Sequence, residues 1–350
     1  MNIKNLKILE LASVLAGPQV GSFFSELGAS VIKIENETTD GDVTRNWKLN
    51  SENEENSISA YYASANYNKK SVFLNFNKNS DKETLNNYIR NSDVIISNFK
   101  YGDAEKFDLS FIDCKRLNPN IIYGEITGFG KNDKRSAFDV ILQAETGYIS
   151  MTGNDENNLA KLPIAFIDLF AAHQLKEGLL LALLENRKPV CVSVSLYDSA
   201  IAALANQASN FLMEGFVPKP IGTQHPNIAP YGDIYLTMDK KKIILAAGTE
   251  KQFVSLLKIL NKKEIPSTFL TNKLRVKNRV KLNYFLTLEI GKITVNKFIS
   301  DCYLENVPVG KIKSLNEVFE KPTATKLILN ETVEGVETKR IKTVVFTFSS

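Results

Sequence analysis

The sequence predicts a doubly wound α/β domain with a mostly parallel sheet, followed by a smaller α+β domain. Three observations lead there. LKILELA (6–12), GPQVGSFFSELG (17–28) and SVIKIE (30–35) follow in direct succession as strand, helix and strand, which is a βαβ unit with its right-handed crossover. The same alternation recurs up to residue 215. Beyond residue 218 it gives way to a Pro- and Gly-rich stretch and a hairpin signal.

Taken in order, LKILELA is an apolar run short enough for a buried strand, and Gly28 closes the helix after it. Residues 36–66 are polar, with SENEEN at 51–56, and are expected to form a surface excursion. SVFLNF (71–76), DVIISNF (93–99) and NIIYGEITGF (120–129) continue the strands, with helical KETLNNYIR (82–90) between the first two. A helical period runs from 169 to 185, and VCVSVSLYDSAIAALANQASNFLMEG (190–215) predicts a strand and then one long helix. PKPIGTQHPNIAPYG (218–232) is expected to be a crossover loop. DIYLTMDKKKIILAAG (233–248) predicts a hairpin, and KQFVSLLKIL (251–260) and a basic stretch around 272–290 predict helices. The expected boundaries are a large domain over 1–224, a small one over 225–305, and a return to the large domain over 306–350.

Composition narrows the function. The chain has 350 residues, 43% hydrophobic and 23% charged, with a formal net charge of +4. So small a charge over this length argues against nucleic acid and is compatible with a small anionic ligand. No segment has the 18 or so apolar residues of a membrane span, and the first residues, MNIKNLKILELA, lack the apolar run of a signal peptide. The expectation is a soluble, cytoplasmic protein. Cys114, Cys191 and Cys302 are dispersed and odd in number, and His173 and His225 stand alone, so neither a disulfide framework nor a metal site is suggested.

One residue stands out chemically. Between Lys161 and Lys176, Asp168 is the only charged side chain, set among Phe166, Ile167, Leu169 and Phe170. Burial of a carboxylate there demands a partner, a proton or a use. It could be the N-cap of the helix over 169–185, or a nucleophile toward an activated acyl group, and the two roles can coexist. The helix dipole would favour its ionised form. Lys69, Lys70, Lys100 and Lys106 fall near sheet ends, where lysines bind phosphates as point charges or form an ordinary solvated face. The first turn lacks the G-x-G-x-x-G fingerprint, so a nicotinamide cofactor is not supported.

Laid end to end, the chain resembles the family III CoA-transferases, the group containing formyl-CoA and carnitine CoA-transferases and the α-methylacyl-CoA racemases. The similarity is collinear. It runs through ILELASVLAGPQVGSFFSELGASVIKIE (8–35), GDVTR (41–45), NYNKKSVFLN (66–75) and SDVIISNFKYG (92–102). It continues through LNPNIIYGEITGFG (117–130), AFDVILQAETGYISMTG (137–153), PIAFIDLFAAHQLKEGLLLALLE (163–185) and VSVSLYDSAIA (192–202). Later pieces are HPNIAPYGDIYLT (225–237), QFVSLLKILN (252–261) and ENVPVGKIKSLNEVFEKP (305–322).

The resemblance implies a Rossmann-like large domain and two subunits interlocked as a homodimer. It implies coenzyme A, carried as an acyl-CoA substrate, and a carboxylic acid as its acceptor, with no metal. Asp168 matches the family's covalent nucleophile, and Asp139 and Gln143 match positions lining the reaction centre. Leu15 and Ala16 match the loop approaching the pantetheine arm. Lys69, Lys70, Asn98, Phe99, Lys100 and Lys106 match positions around the nucleotide, with Lys106 where many relatives carry arginine. The racemases place a histidine base just before the position of Asp139; here that residue is Phe138, which accepts no proton. No glycine-rich flap like that of the formyl-CoA enzyme is present, so oxalate chemistry is not implied. Shortened loops at KNDKRSAF and NRKPV, and an end at VVFTFSS without the family's helical tail, fit a streamlined transferase and equally a non-catalytic CoA-binding homologue.

Overall fold

The computed structural model describes residues 2–349. Two compact units divide the chain. The larger runs through Tyr148, resumes over Lys161–Glu214 and again from Thr323; the smaller comprises Ile149–Ala160 and Gly215–Pro322.

The larger unit holds a six-stranded sheet of β1 (Lys7–Leu11), β2 (Ser30–Asn36), β3 (Lys70–Leu74), β4 (Val94–Ser97), β5 (Ile122–Thr127) and β6 (Val190–Ser195). Their order is β3-β2-β1-β4-β5-β6, and every pairing is parallel. Chain direction across the sheet therefore reverses between β1 and β4, which opens a crevice at their carboxyl ends where doubly wound sheets bind ligands.

Crossover helices make both faces apolar. Leu9, Leu11 and Ile95 pack on one face with Leu85 and Ile89 of α2 (Asn79–Arg90) and Cys114 of α3 (Phe111–Leu117). The opposite face carries α1 (Ala16–Glu26) and, after α4 (Asp139–Glu145), the long α5 (Phe166–Leu184). These two pack on each other. Each follows a strand and runs back against the parallel sheet, so both begin at its carboxyl end.

Residues 36–66 are only in part the expected surface excursion: 37–40 and most of 46–57 are exposed, but the rest turns inward. Asp42, Thr44, Arg45, Ser59, Tyr62 and Asn66 are buried there. Their polarity is satisfied internally: the Arg45 guanidinium pairs with Glu35 at 2.6 Å and donates to the Tyr62 hydroxyl. The single long helix expected before residue 215 is also interrupted. It becomes α6 (Leu196–Ala202) and α7 (Ala205–Glu214), with Ala205 at φ 46°, outside helical geometry. The strands β10 (Ile328–Val333) and β11 (Val336–Ile341) complete this unit as an antiparallel hairpin.

The smaller unit is an antiparallel sheet of β7 (Tyr231–Leu236), β8 (Lys242–Ala246) and β9 (Val309–Lys311), packed with helices over Glu250–Ile259, Arg279–Ile290 and Val295–Leu304. It is wider than 225–305. Residues 309–311 stay within it because they pair with β8, and 149–160 joins it where the Gly222 amide donates to the Gly153 carbonyl.

Candidate active site

Asp168 lies in the first turn of α5, not at its cap, because the helix begins three residues before 169. Only 8% of its surface is exposed. Among the described residues no donor hydrogen-bonds its carboxylate. Burial, and secondly the charge of Asp139, push its pKa up to about 7. The expected stabilisation of its charge by the helix amides is thus absent, and the geometry explains why. Asp139 Oδ2 takes the amide of Ile167 at 2.7 Å and that of Asp168 at 3.3 Å. The donors that would have neutralised Asp168 are spent on its neighbour.

Asp139 opens α4, and Gln143 is one turn on, so both side chains share a face. Gln143 donates to Asp139 Oδ1 and accepts the Leu162 amide at 2.8 Å. The pair braces the segment leading into Asp168 from both ends. Tyr61, which no motif singles out, belongs to the same neighbourhood. Burial, then the charges of Asp168, Asp139 and Asp42, raise its phenol to about 12. Its ring meets Trp47 edge-on at 5.1 Å.

Leu15 and Ala16 follow the carboxyl end of β1 and start α1. Asn98 follows β4, across the reversal point. It accepts the Ser13 amide at 3.0 Å and donates to the Ser13 carbonyl at 2.8 Å, tying the two loops together. Gly17 is required here: a Cβ would stand 2.4 Å from that of Ala12. Phe99 packs against the core, while Lys100 and Lys106 are exposed beyond the same strand end.

Two of the lysines do not join this group. Lys70 begins β3 and pairs with Ile32, in the register row of Leu9 and Ile95 and short of the carboxyl ends. Lys69 turns inward. Its ammonium donates to the Pro18 and Ala65 carbonyls, both at 2.8 Å, and lies 2.7 Å from Glu10 Oε2. Burial outweighs the Glu10 attraction and lowers its pKa to about 7. Glu10 in turn pairs with Lys33, and Lys33 with Asp42 at 3.0 Å. A chain of buried charge thus underlies the carboxyl end of β1.

His173 is exposed on α5 and Phe138 precedes α4, so no histidine stands beside Asp139. Among the described residues no cluster of three or more potential metal-ligating His, Cys, Asp or Glu side chains occurs, and no helix is long and apolar enough to cross a membrane.

Comparison with known proteins places this geometry in context. The sequence pattern of CoA-transferase family III matches residues 3–350. The chain is similar to the succinate–glutarate CoA-transferase of Agrobacterium fabrum, 33% identical over 331 residues covering 91% of this chain and 82% of that protein. It is also similar to the succinyl-CoA:glutarate CoA-transferase of Mus musculus, at 32% identity over 91% of this chain and 74% of the relative. Among solved structures, a CaiB/BaiF family protein of Brucella suis superposes with a TM-score of 0.81 at 31% identity, covering 99% of this chain and 92% of that one. The doubly wound sheet, the collinear motifs and these matches agree: the chain belongs to CoA-transferase family III.

Proposed function

We propose that the protein moves CoA from an acyl-CoA thioester to a carboxylic acid through covalent intermediates on Asp168. The observation that carries this is the state of Asp168: buried, without a hydrogen-bond donor, and with a pKa near 7. A desolvated carboxylate of raised basicity is a stronger nucleophile than one in water. Its oxygen attacks the thioester carbon, the C–S bond breaks, and a mixed anhydride and CoA thiolate form. The thiolate attacks the aspartyl carbon, the donor carboxylate leaves, and an aspartyl-CoA thioester remains. An acceptor carboxylate then runs the two steps in reverse. No bond energy is lost to water, so no further energy source is required.

The relatives are named for succinate, glutarate and mesaconate. We therefore assign a dicarboxylic acid and its CoA thioester as the substrate class. Asp139 and Gln143 serve as positioning residues for Asp168, and Lys100 and Lys106 as cations toward the CoA phosphates. The reading extends to a cytoplasmic location and to a homodimer, the latter supported by α7, which exposes Phe211, Leu212 and Met213 together. The racemase alternative has nothing in its favour here, since Phe138 stands where its base would be.

Intact-protein mass spectrometry after incubation with succinyl-CoA and glutaryl-CoA tests the proposal. A hydroxylamine-sensitive adduct on the wild type, absent from Asp168→Ala, is expected. Transfer by Asp168→Ala at wild-type rate would refute the covalent route. CoA binding without any adduct or exchange would instead indicate a non-catalytic homologue.

A further inference from the structure

The two units differ in charge. Residues 149–160 and 215–322 carry 18 Lys and Arg against 11 Asp and Glu, so the smaller unit is strongly basic while the rest of the chain is slightly acidic. The excess is concentrated. Residues 265–288 contain no acidic side chain, and Lys273, Arg275, Lys277, Arg279 and Lys281 fall at alternate positions within them. On the helices Asn272–Lys277 and Arg279–Ile290 this spacing sorts the five, because positions four apart share a face. The arginines turn inward: Arg275 pairs with Glu250, and Arg279 donates to the carbonyls of His225 and Ile228. The three lysines are exposed.

Six other lysines of the smaller unit lie within 3.1 Å of a carboxylate. Among the described residues Lys273, Lys277 and Lys281 have no such partner. What accompanies them is apolar. Val280, Tyr284 and Leu288 follow one another at four-residue spacing on the outer face of Arg279–Ile290, and are 85%, 70% and 49% exposed. Leu282, Leu286 and Ile290 of the same helix fill the core instead. A single exposed apolar side chain needs no explanation, whereas a row of them beside unpaired lysines marks an interaction surface.

We propose that this face docks peripherally on an anionic phospholipid surface, with Lys273, Lys277 and Lys281 against the headgroups and Val280, Tyr284 and Leu288 between headgroups and acyl chains. The charge complementarity is one-sided, since no acidic side chain in 265–288 repels an anion. Ammonium groups on flexible stems are drawn to a layer of negative charge without needing fixed partners, which suits a fluid headgroup layer. The apolar tips leave water only where the partner is apolar just beneath its charge, as a bilayer is. The phosphates of a nucleic-acid duplex offer the first attraction and not the second. The inference is independent of the nucleophile assignment, because these residues all belong to the smaller unit.

The test is flotation of the full chain with vesicles of phosphatidylcholine alone, or of phosphatidylcholine and phosphatidylglycerol in equal parts. Wild type should float with the mixed vesicles only, and less as salt rises. Each Lys→Gln change at 273, 277 or 281 should weaken binding about fivefold, and all three together about a hundredfold. Val280→Ser with Leu288→Ser, which keeps every charge, should also weaken it. CoA transfer by these variants should match the wild type. Several outcomes would overturn the inference: no binding by the wild type, equal binding to both vesicle types, or variants that bind as the wild type does. So would a preference for duplex DNA over the mixed vesicles at equal salt. A wild type that ignores vesicles, with variants that change oligomeric state on size exclusion, would assign the face to a second copy instead.

Discussion

Replacing Asp168 with asparagine should shift stability progressively in favour of the variant as pH rises from 5 to 8. An aspartate in an unfolded chain titrates near 3.9, whereas Asp168 in the folded protein titrates at about 7. A raised folded pKa costs nothing below the unfolded value and its full amount once pH exceeds the folded value. The difference between those values sets the full cost at about 4 kcal/mol above pH 8, and at about 1–2 kcal/mol at pH 5. Asparagine carries no charge and escapes it. Its buried amide introduces an unsatisfied donor at about 1–3 kcal/mol, but this term does not vary with pH. The readout is therefore the change in ΔΔG, about 2–3 kcal/mol more favourable to the variant at pH 8 than at pH 5. Urea unfolding followed by fluorescence suits the measurement, because the single tryptophan, Trp47, lies in the larger unit. A stability difference flat between pH 5 and 8 would show that Asp168 is ionised at ordinary cost, and would refute the account of its spent donors.

Asp139→Asn should retain an acceptor for the Ile167 amide while removing the second cause of the raised Asp168 pKa. The acid limb of the kcat/KM profile, which falls as Asp168 takes up a proton below about pH 7, should then move to lower pH by up to about one unit; an unmoved limb would exclude Asp139 as its cause. Gly17→Ala should destabilise by about 1–3 kcal/mol through overpacking and raise KM for the acyl-CoA. Ala12→Gly in the same chain should restore both, since the clash is with the Ala12 Cβ.

Much of the larger unit was legible because each buried strand announces itself as a short apolar run. What composition could not show was polarity turned inward. Glu10 and Lys33 each interrupt an otherwise apolar strand centre, and the parallel register makes them direct neighbours. Once they are paired, Asp42 and Lys69 can be buried beside them. The polar stretch 36–66 therefore looks uniformly solvated in sequence while Asp42, Thr44, Arg45, Ser59 and Asn66 are buried within it. Asp168 was legible as an anomaly, but its electrostatic state was not. That depends on whether Asp139, on another helix, claims the amides first. Ala205 breaks its helix without any glycine or proline, and nothing local marks that position. Lys69 and Lys70 are adjacent in sequence and alternate across an edge, so one faces the interior and the other solvent.

The hairpin β10–β11 closes salt bridges that the early chain leaves open. Arg45, buried beside Glu35, also meets Glu334, which lies 289 positions later. Glu26, at the end of α1, accepts from Arg340 and from the amides of Thr343 and Val344. On a ribosome, α1 and the Arg45 segment emerge long before these partners exist, while residues 215–322 of the smaller unit are synthesised in between. Domains generally form as units during synthesis. The larger unit therefore reaches its native state only after the smaller one has been made. Until then Glu26 and the outer edge of the Arg45 guanidinium keep water in the place of their late partners.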